Sequence, residues 1–251
     1  MRLTHILFCV LGLAGTCSCS PQYNIDGNST IAGLDGQKMY LRATRPDGTQ
    51  ADVALDSCEV VHGCFTFGGV VDSVLMADLY MGDEVMMPVV IENGRMFVQM
   101  DNMMQSISGG PLNDRLNQFL VKHGRCEREL WDLSRRARNM LYEGKSLEQI
   151  VAVIDPMKST LLGQMKDLEV KFVKDNYDNV LGTGYFMRMC TNMGMPVAND
   201  DILDILLDAP DAFLANPFIG NYLIMMGMTP AQLQKEREAR KGKGAKKRKK
   251  K

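Results

Sequence analysis

Between Tyr23 and Ile107 apolar and polar residues alternate in short runs: Lys38 to Thr44, Phe65 to Val71, Val74 to Met81, Val85 to Ile91 and Arg95 to Met100. Turn formers punctuate them at Gly27, Gly33, Asp35-Gly36, Pro46-Asp47-Gly48, His62-Gly63, Gly68-Gly69, Gly82-Asp83 and Asn93-Gly94. A period of two broken at this spacing predicts seven or eight short antiparallel strands over some 85 residues. After Gly109-Gly110-Pro111 the period changes. Leu112, Leu116, Phe119, Leu120, His123, Leu130, Leu133, Ala137 and Leu141 recur at helical spacing and predict one long helix ending near Gly144. Ser146, with Gln149 at the capping-box position, starts a second, whose stripe is Leu147, Ile150, Ile154, Met157, Leu161, Met165, Leu168 and Phe172. Shorter helices are expected from the Asn199 cap over Ile202 to Leu207 and over Phe218 to Met226. A last one starts at Thr229, with Pro230 in its first position, and runs out at Gly242-Lys243-Gly244.

These elements predict an α+β protein: an N-terminal antiparallel β-sandwich or partly open barrel, followed by an α-helical hairpin region. The chain divides into a leader (1–18), a β domain (19–110), a helical region (111–228), and a terminal helix with a basic, disordered tail (229–251).

The first 18 residues lie outside the fold because they have the order of a secretory signal. Arg2 is followed by the apolar stretch Ile6 to Ala14 and then by small polar residues through Ser20. The details resemble a bacterial lipoprotein signal, in which a cysteine after the apolar stretch is diacylated and becomes the first residue. Cys19 fits that role better than Cys17, since Ser18 is a smaller residue to precede the cleavage than the β-branched Thr16. An ordinary cleaved signal is the alternative. No acidic run follows Cys19, so a periplasm-facing, membrane-anchored envelope protein is expected.

Composition alters this picture at one end only. Lys and Arg number 29 against 30 Asp and Glu, yet eleven basic and two acidic residues fall between Lys235 and Lys251. An acidic body thus carries a basic tail. Lys246, Lys247, Arg248, Lys249, Lys250 and Lys251 would contact anionic lipid headgroups; no aromatic residues interleave them as in a nucleic-acid stacking platform, and nucleic acid is not an expected partner.

Four cysteines remain after Cys19: Cys58, Cys64, Cys126 and Cys190. A hairpin turning at His62-Gly63 would pair Val61 with Cys64, Glu59 with Thr66 and Cys58 with Phe67, putting Cys58 and Cys64 on opposite faces, which argues against a disulfide. No C-x-x-C occurs, so the usual dithiol redox centre is missing. His123 and Cys126 share a helical turn, but no second pair at zinc spacing joins them. Met187, Met189, Cys190, Met193 and Met195 offer soft ligands suited to monovalent copper. With 20 Met in the chain, adaptable packing accounts for that cluster more simply. Asp200, Asp201, Asp204 and Asp208 suit a helix N-terminus. No phosphate loop, G-x-S-x-G elbow or H-E-x-x-H motif is present. No catalytic residue, resident metal or cofactor is therefore assigned.

Several segments, in order, carry a family resemblance: Tyr23-Asn24-Ile25-Asp26-Gly27, Asp35-Gly36-Gln37-Lys38-Met39-Tyr40-Leu41, Asp56-Ser57, Val60 to Gly69, Ile91-Glu92-Asn93-Gly94 and Ser108-Gly109-Gly110-Pro111-Leu112-Asn113-Asp114. They resemble domain of unknown function 4369, found in Bacteroidetes-type lipoproteins, commonly ahead of a thioredoxin-like domain of the AhpC/TSA or TlpA/ResA kind. Phe172 to Gly182 is similar to the helical connector of those proteins. Where they continue into a thioredoxin fold, this chain has a lysine-rich segment, so the resemblance transfers no redox activity. The expected function is that of a lipid-anchored, non-catalytic binding or docking module for an envelope protein or glycan. The alternatives are an accessory subunit of a periplasmic thiol-disulfide system and a sulfur-ligand metal carrier.

Overall fold

The computed structural model describes residues 22–43, 53–70, 72–102, 104–191 and 199–248. The protein is α+β. Eight strands come first: β1 (Gln22–Ser29), β2 (Lys38–Ala43), β3 (Val53–Glu59), β4 (Cys64–Val70), β5 (Leu75–Met81), β6 (Glu84–Ile91), β7 (Gly94–Met100) and β8 (Gln105–Ser108). They form two four-stranded sheets, ordered β4-β1-β7-β8 and β3-β2-β5-β6. Alternate residues such as Ile25, Phe67, Met96 and Val98 of the first sheet and Met39, Leu41 and Leu79 of the second are buried between them.

Two features depart from the sequence pattern. β1 and β7 pair in parallel, Tyr23 opposite Gly94 and Ser29 opposite Met100, a long-range pairing that turn spacing cannot register. The expected β3–β4 hairpin stops at its first rung. Val61 bridges Cys64, but beyond it Cys58 pairs with Met39 and Phe67 with Ile25. The strands separate into different sheets because each has a neighbour from elsewhere in the chain. Asp56 spans the corner by accepting a hydrogen bond from Gly68 N at 2.9 Å.

Seven helices follow: α1 (Pro111–Tyr142), α2 (Leu147–Lys174), α3 (Val180–Thr191), α4 (Asp200–Asp208), α5 (Asp211–Leu214), α6 (Pro217–Met225) and α7 (Pro230–Arg248). The Ser146–Gln149 capping box forms, and Asn199 caps α4 by accepting from Ile202 N at 2.8 Å. α7 continues to Arg248 through Gly242 and Gly244, where the sequence predicts its end and a disordered tail. Each glycine costs a helix about 1 kcal/mol, and the Lys, Arg and Ala around the pair are good helix formers.

α1 lies across the open side of the sandwich, where β6 and β8 are not joined. Asn113 substitutes for a missing strand: its Oδ1 accepts from Val90 N at 2.9 Å and its Nδ2 donates to Val90 O at 2.7 Å. One turn later Asn117 Oδ1 accepts from Ile107 N of β8 at 3.2 Å. Buried Glu92 caps the helix, accepting from Asn113 N at 2.9 Å, Leu112 N at 3.3 Å and Asn113 Nδ2 at 3.0 Å. Gly110, at φ 114°, makes room for it, since a Cβ there would lie 2.4 Å from Glu92 Oε2.

This clasp sets the direction of everything that follows. α1 starts at the end of the sheets where β1 and β7 start, runs along β8, and reaches the β7–β8 turn near His123. α2 returns beside it, with Glu169 against His123 and Met157 against Arg136. One buried cluster extends from Tyr23 through the base of the hairpin to Leu233. Beyond Cys126 the hairpin has only its own small cluster of Leu133, Ile150, Ile154 and Leu161, and its tip is bare.

Candidate functional site

A cleft of about 580 Å³ opens where the sheets end and the hairpin leaves the body. β6 contributes Met86 and Pro88; the β7–β8 turn and the start of β8 contribute Asp101, Asn102, Met104 and Gln105. One face of α1 provides Phe119, Leu120, His123, Gly124, Glu127 and Arg128. α2 adds Lys166 and Glu169, α3 adds Tyr185, Arg188 and Met189, and α4 adds its cap Asn199 and Asp201.

His123 is the centre of its polar wall. Nδ1 faces Glu127 Oε1 at 3.4 Å and Nε2 faces Glu169 Oε1 at 3.1 Å; the same Glu169 oxygen accepts from the Tyr185 hydroxyl at 3.2 Å. Burial alone would lower the His123 pKa, but the hydrogen bonds and charges of the two carboxylates outweigh it and raise it to about 9. Glu127 is held below the usual carboxylate range by its hydrogen bond to His123, against the effect of burial. Burial, and then the Glu169 charge, keeps the Tyr185 phenol protonated. An imidazolium donating from both nitrogens has no lone pair for a metal or for a proton in transit.

The other charges in the cleft are also engaged. Arg188 pairs with Asp78, Lys166 with Asp201 at 3.1 Å, and Asp101 accepts from Met104 N at 2.6 Å. Arg128 has partners as well. Gly124 stands inside the helix with nothing to require a glycine, because a Cβ would meet only Arg128 Nη1 at 3.5 Å and Glu127 Oε2 at 4.0 Å. A helical glycine costs about 1 kcal/mol relative to alanine.

The sequence candidates are distributed differently. Cys126 is buried and does not line the cleft beside His123. Met189 reaches the cleft, whereas Cys190 packs in the core, where burial pushes its thiol up to about 12 despite a hydrogen bond with Tyr222. Met187 is buried on the same helix; Met193 and Met195 lie outside the described residues, as do Cys17, Cys19, Lys249, Lys250 and Lys251. Lys246, Lys247 and Arg248 fall on the last turns of α7. Cys58 and Cys64 are free thiols. Among the described residues no group of three or more His, Cys, Asp or Glu is placed to hold a metal, and no helix is long and apolar enough to cross a membrane.

Sequence reasoning singled out His123 but missed Glu127, Glu169, Tyr185 and Arg188, which no motif connects. The signal available was weak: an ionisable residue in an otherwise apolar helical stripe needs a partner, and Glu127 one turn on supplies one. The residues that carry the family resemblance serve the clasp instead, with Glu92, Gly110 and Asn113 meeting at the base of α1.

No curated protein and no solved structure matches the chain. Residues 23–116 match the family model described as Domain of unknown function (DUF4369), a stretch that runs from the start of β1 to just past Asn113, so the β-sandwich together with the clasp onto α1 is a domain of that family.

Proposed function

We propose that the protein is a lipid-anchored cell-envelope module, acylated at Cys19 and facing the periplasm, that binds a protein partner without performing chemistry on it. The observation that carries this reading is the polarity of the fold. Only Ser20 and Pro21 separate Cys19 from the first residue of β1, a reach of about 10 Å at most. An acyl chain on Cys19 therefore holds the β1 end of the sheets at the bilayer. The cleft lies at the other end, about 23 Å away along the seven-residue β7 at strand rise. The hairpin extends past it, the 32 residues of α1 amounting to about 48 Å.

The basic end belongs to the same geometry. Arg237 binds Asp211 and Ala209 O, while Arg240, one turn later, pairs with Asp204 and Asp208. α7 thus runs antiparallel to α4, toward the cleft end and away from the start of β1. Deleting Lys241 to Lys251 is expected to weaken salt-sensitive binding of the unacylated protein to anionic vesicles while leaving the acylated protein in the membrane fraction.

Two measurements test the reading. Cys19→Ala should abolish labelling by a palmitate analogue and release the protein from membranes; labelling that survives in Cys19→Ala and is lost in Cys17→Ala assigns the other cysteine, and labelling of neither wild type nor variant removes the anchor. A photoreactive phenylalanine analogue at Met104, on the cleft rim, should give a discrete protein adduct in intact cells, whereas the same group at exposed Asp83 should not. Equal adducts at both positions, or none, would remove the docking role.

A further inference from the structure

We infer that the cleft takes an uncharged, extended peptide segment with one apolar side chain seated among Met86, Met104 and Met189, an inference that rests on the docking role proposed above. Three features of the lining lead to this ligand class.

The first is electrostatic. Most charged groups in the wall have a counter-charge inside the protein: His123 between Glu127 and Glu169, Lys166 on Asp201, Arg188 on Asp78; Asp101 accepts from Met104 N. A charged ligand would have to compete with these internal partners for the groups it meets. A neutral ligand disturbs none of them.

The second is a set of methionines in the lining. Met86, Met104 and Met189 come from three different elements and converge on the cleft. Unbranched thioethers adapt to side chains of different shape, as expected of a surface that grips an apolar residue without a rigid pocket. The two aromatic rings of the lining, Phe119 and Tyr185, are buried and pack against Phe172, which leaves no open face for a sugar ring.

The third concerns how a peptide backbone would be recognised. Addition of a strand to the sheet is blocked at β6: Val90 is occupied by Asn113, and Pro88, two residues away on the same edge, has no N–H to give. Asn102 and Gln105 instead belong to the lining, and an amide side chain offers both the donor and the acceptor that a peptide unit needs.

Gly124 provides the test, because side chains placed there enter the cleft without removing a packed contact. The detergent-solubilised full-length protein is panned against a displayed library of random heptapeptides, and selected sequences are synthesised and measured by fluorescence anisotropy on wild type, Gly124→Ala and Gly124→Phe. Selected peptides should have no net charge and share a Met, Leu or Phe. Affinity should change by less than about twofold as salt rises, since no ion pair forms across the interface. Gly124→Phe should weaken binding by about tenfold or more while Gly124→Ala retains it, with the melting temperature of both variants at or above that of wild type. Selection of charged, salt-sensitive peptides overturns the ligand class, as does unchanged binding by Gly124→Phe, or selection of no peptide while wild type, but not Gly124→Phe, retains an envelope oligosaccharide or Cu(I). A Met104 adduct in cells together with a failed selection rejects the neutral peptide and keeps the docking role; failure of both rejects the docking role itself.

Discussion

The two halves of α1 carry similar apolar stripes in opposite circumstances. At the base, Asn113, Leu116 and Phe119 are buried against two sheets, and the helix ends in a carboxylate cap and two strand edges. At the tip, Leu141 and Tyr142 are exposed, Tyr142 to 87%, and across the turn Leu147 is exposed to 72%. Periodicity alone does not separate these halves. The base is held by polar groups whose loss leaves buried partners unpaired, whereas the arm is held by one thin seam with its partner helix. Stability should therefore be concentrated at the base, and the arm should open on its own before the body unfolds.

The comparison breaks most sharply at Asn113. Asn113→Leu leaves Val90 N–H, Val90 C=O and part of Glu92 without partners, each costing about 1–3 kcal/mol, so a loss of about 4 kcal/mol is expected in urea unfolding. A loss under about 1 kcal/mol, the size of an ordinary surface change, would show that the clasp is not what fastens α1. Gly110→Ala comes next. Its positive φ and its approach to Glu92 predict a loss of about 2 kcal/mol, and Glu92→Gln should reduce that loss if the carboxylate is the group displaced.

The junction between base and arm titrates. With His123 raised to about 9 in the folded protein against about 6.5 unfolded, the folded state holds its proton more tightly. The stabilisation is complete below about pH 6.5 and is lost as pH rises through 9. Melting temperatures should fall between pH 7 and pH 9 in wild type and stay level over that interval in His123→Gln; parallel curves would remove the ion pair from the stability of the junction. The smallest effect belongs to the tip. Leu141→Ser with Tyr142→Ser should shift global stability by no more than about 0.5 kcal/mol, and amide exchange should be faster in residues 134–153 than at Phe119 or Phe172 in wild type and variant alike. A large global loss from the tip pair would mean that arm and base unfold as one unit.

How far the sequence reached follows from the range of the interactions. Turn residues, strand runs, the Ser146 and Asn199 caps and the switch from sheet to helix at Gly109-Gly110-Pro111 were all legible, because each is decided within a few residues by backbone sterics and capping. α3 was hidden, since the Met187 to Met195 run reads as a ligand cluster as easily as a helix. The cleft was hidden for a stronger reason. His123, Glu169, Tyr185 and Arg188 are up to 65 positions apart, and nothing in their spacing relates them.

The amino-acid sequence by itself determined the class of the fold, the succession of strands and then two long helices, the family of its N-terminal domain and the opposite charge of body and tail, since these depend on local periodicity, composition and short ordered motifs. Tertiary structure alone decided that β1 and β7 run parallel, that β3 and β4 part into different sheets, that an asparagine closes the sandwich, and that the cleft and the β1 end lie at opposite poles. Those outcomes depend on which distant edges and charges find each other, and that is settled by packing the whole chain around one core.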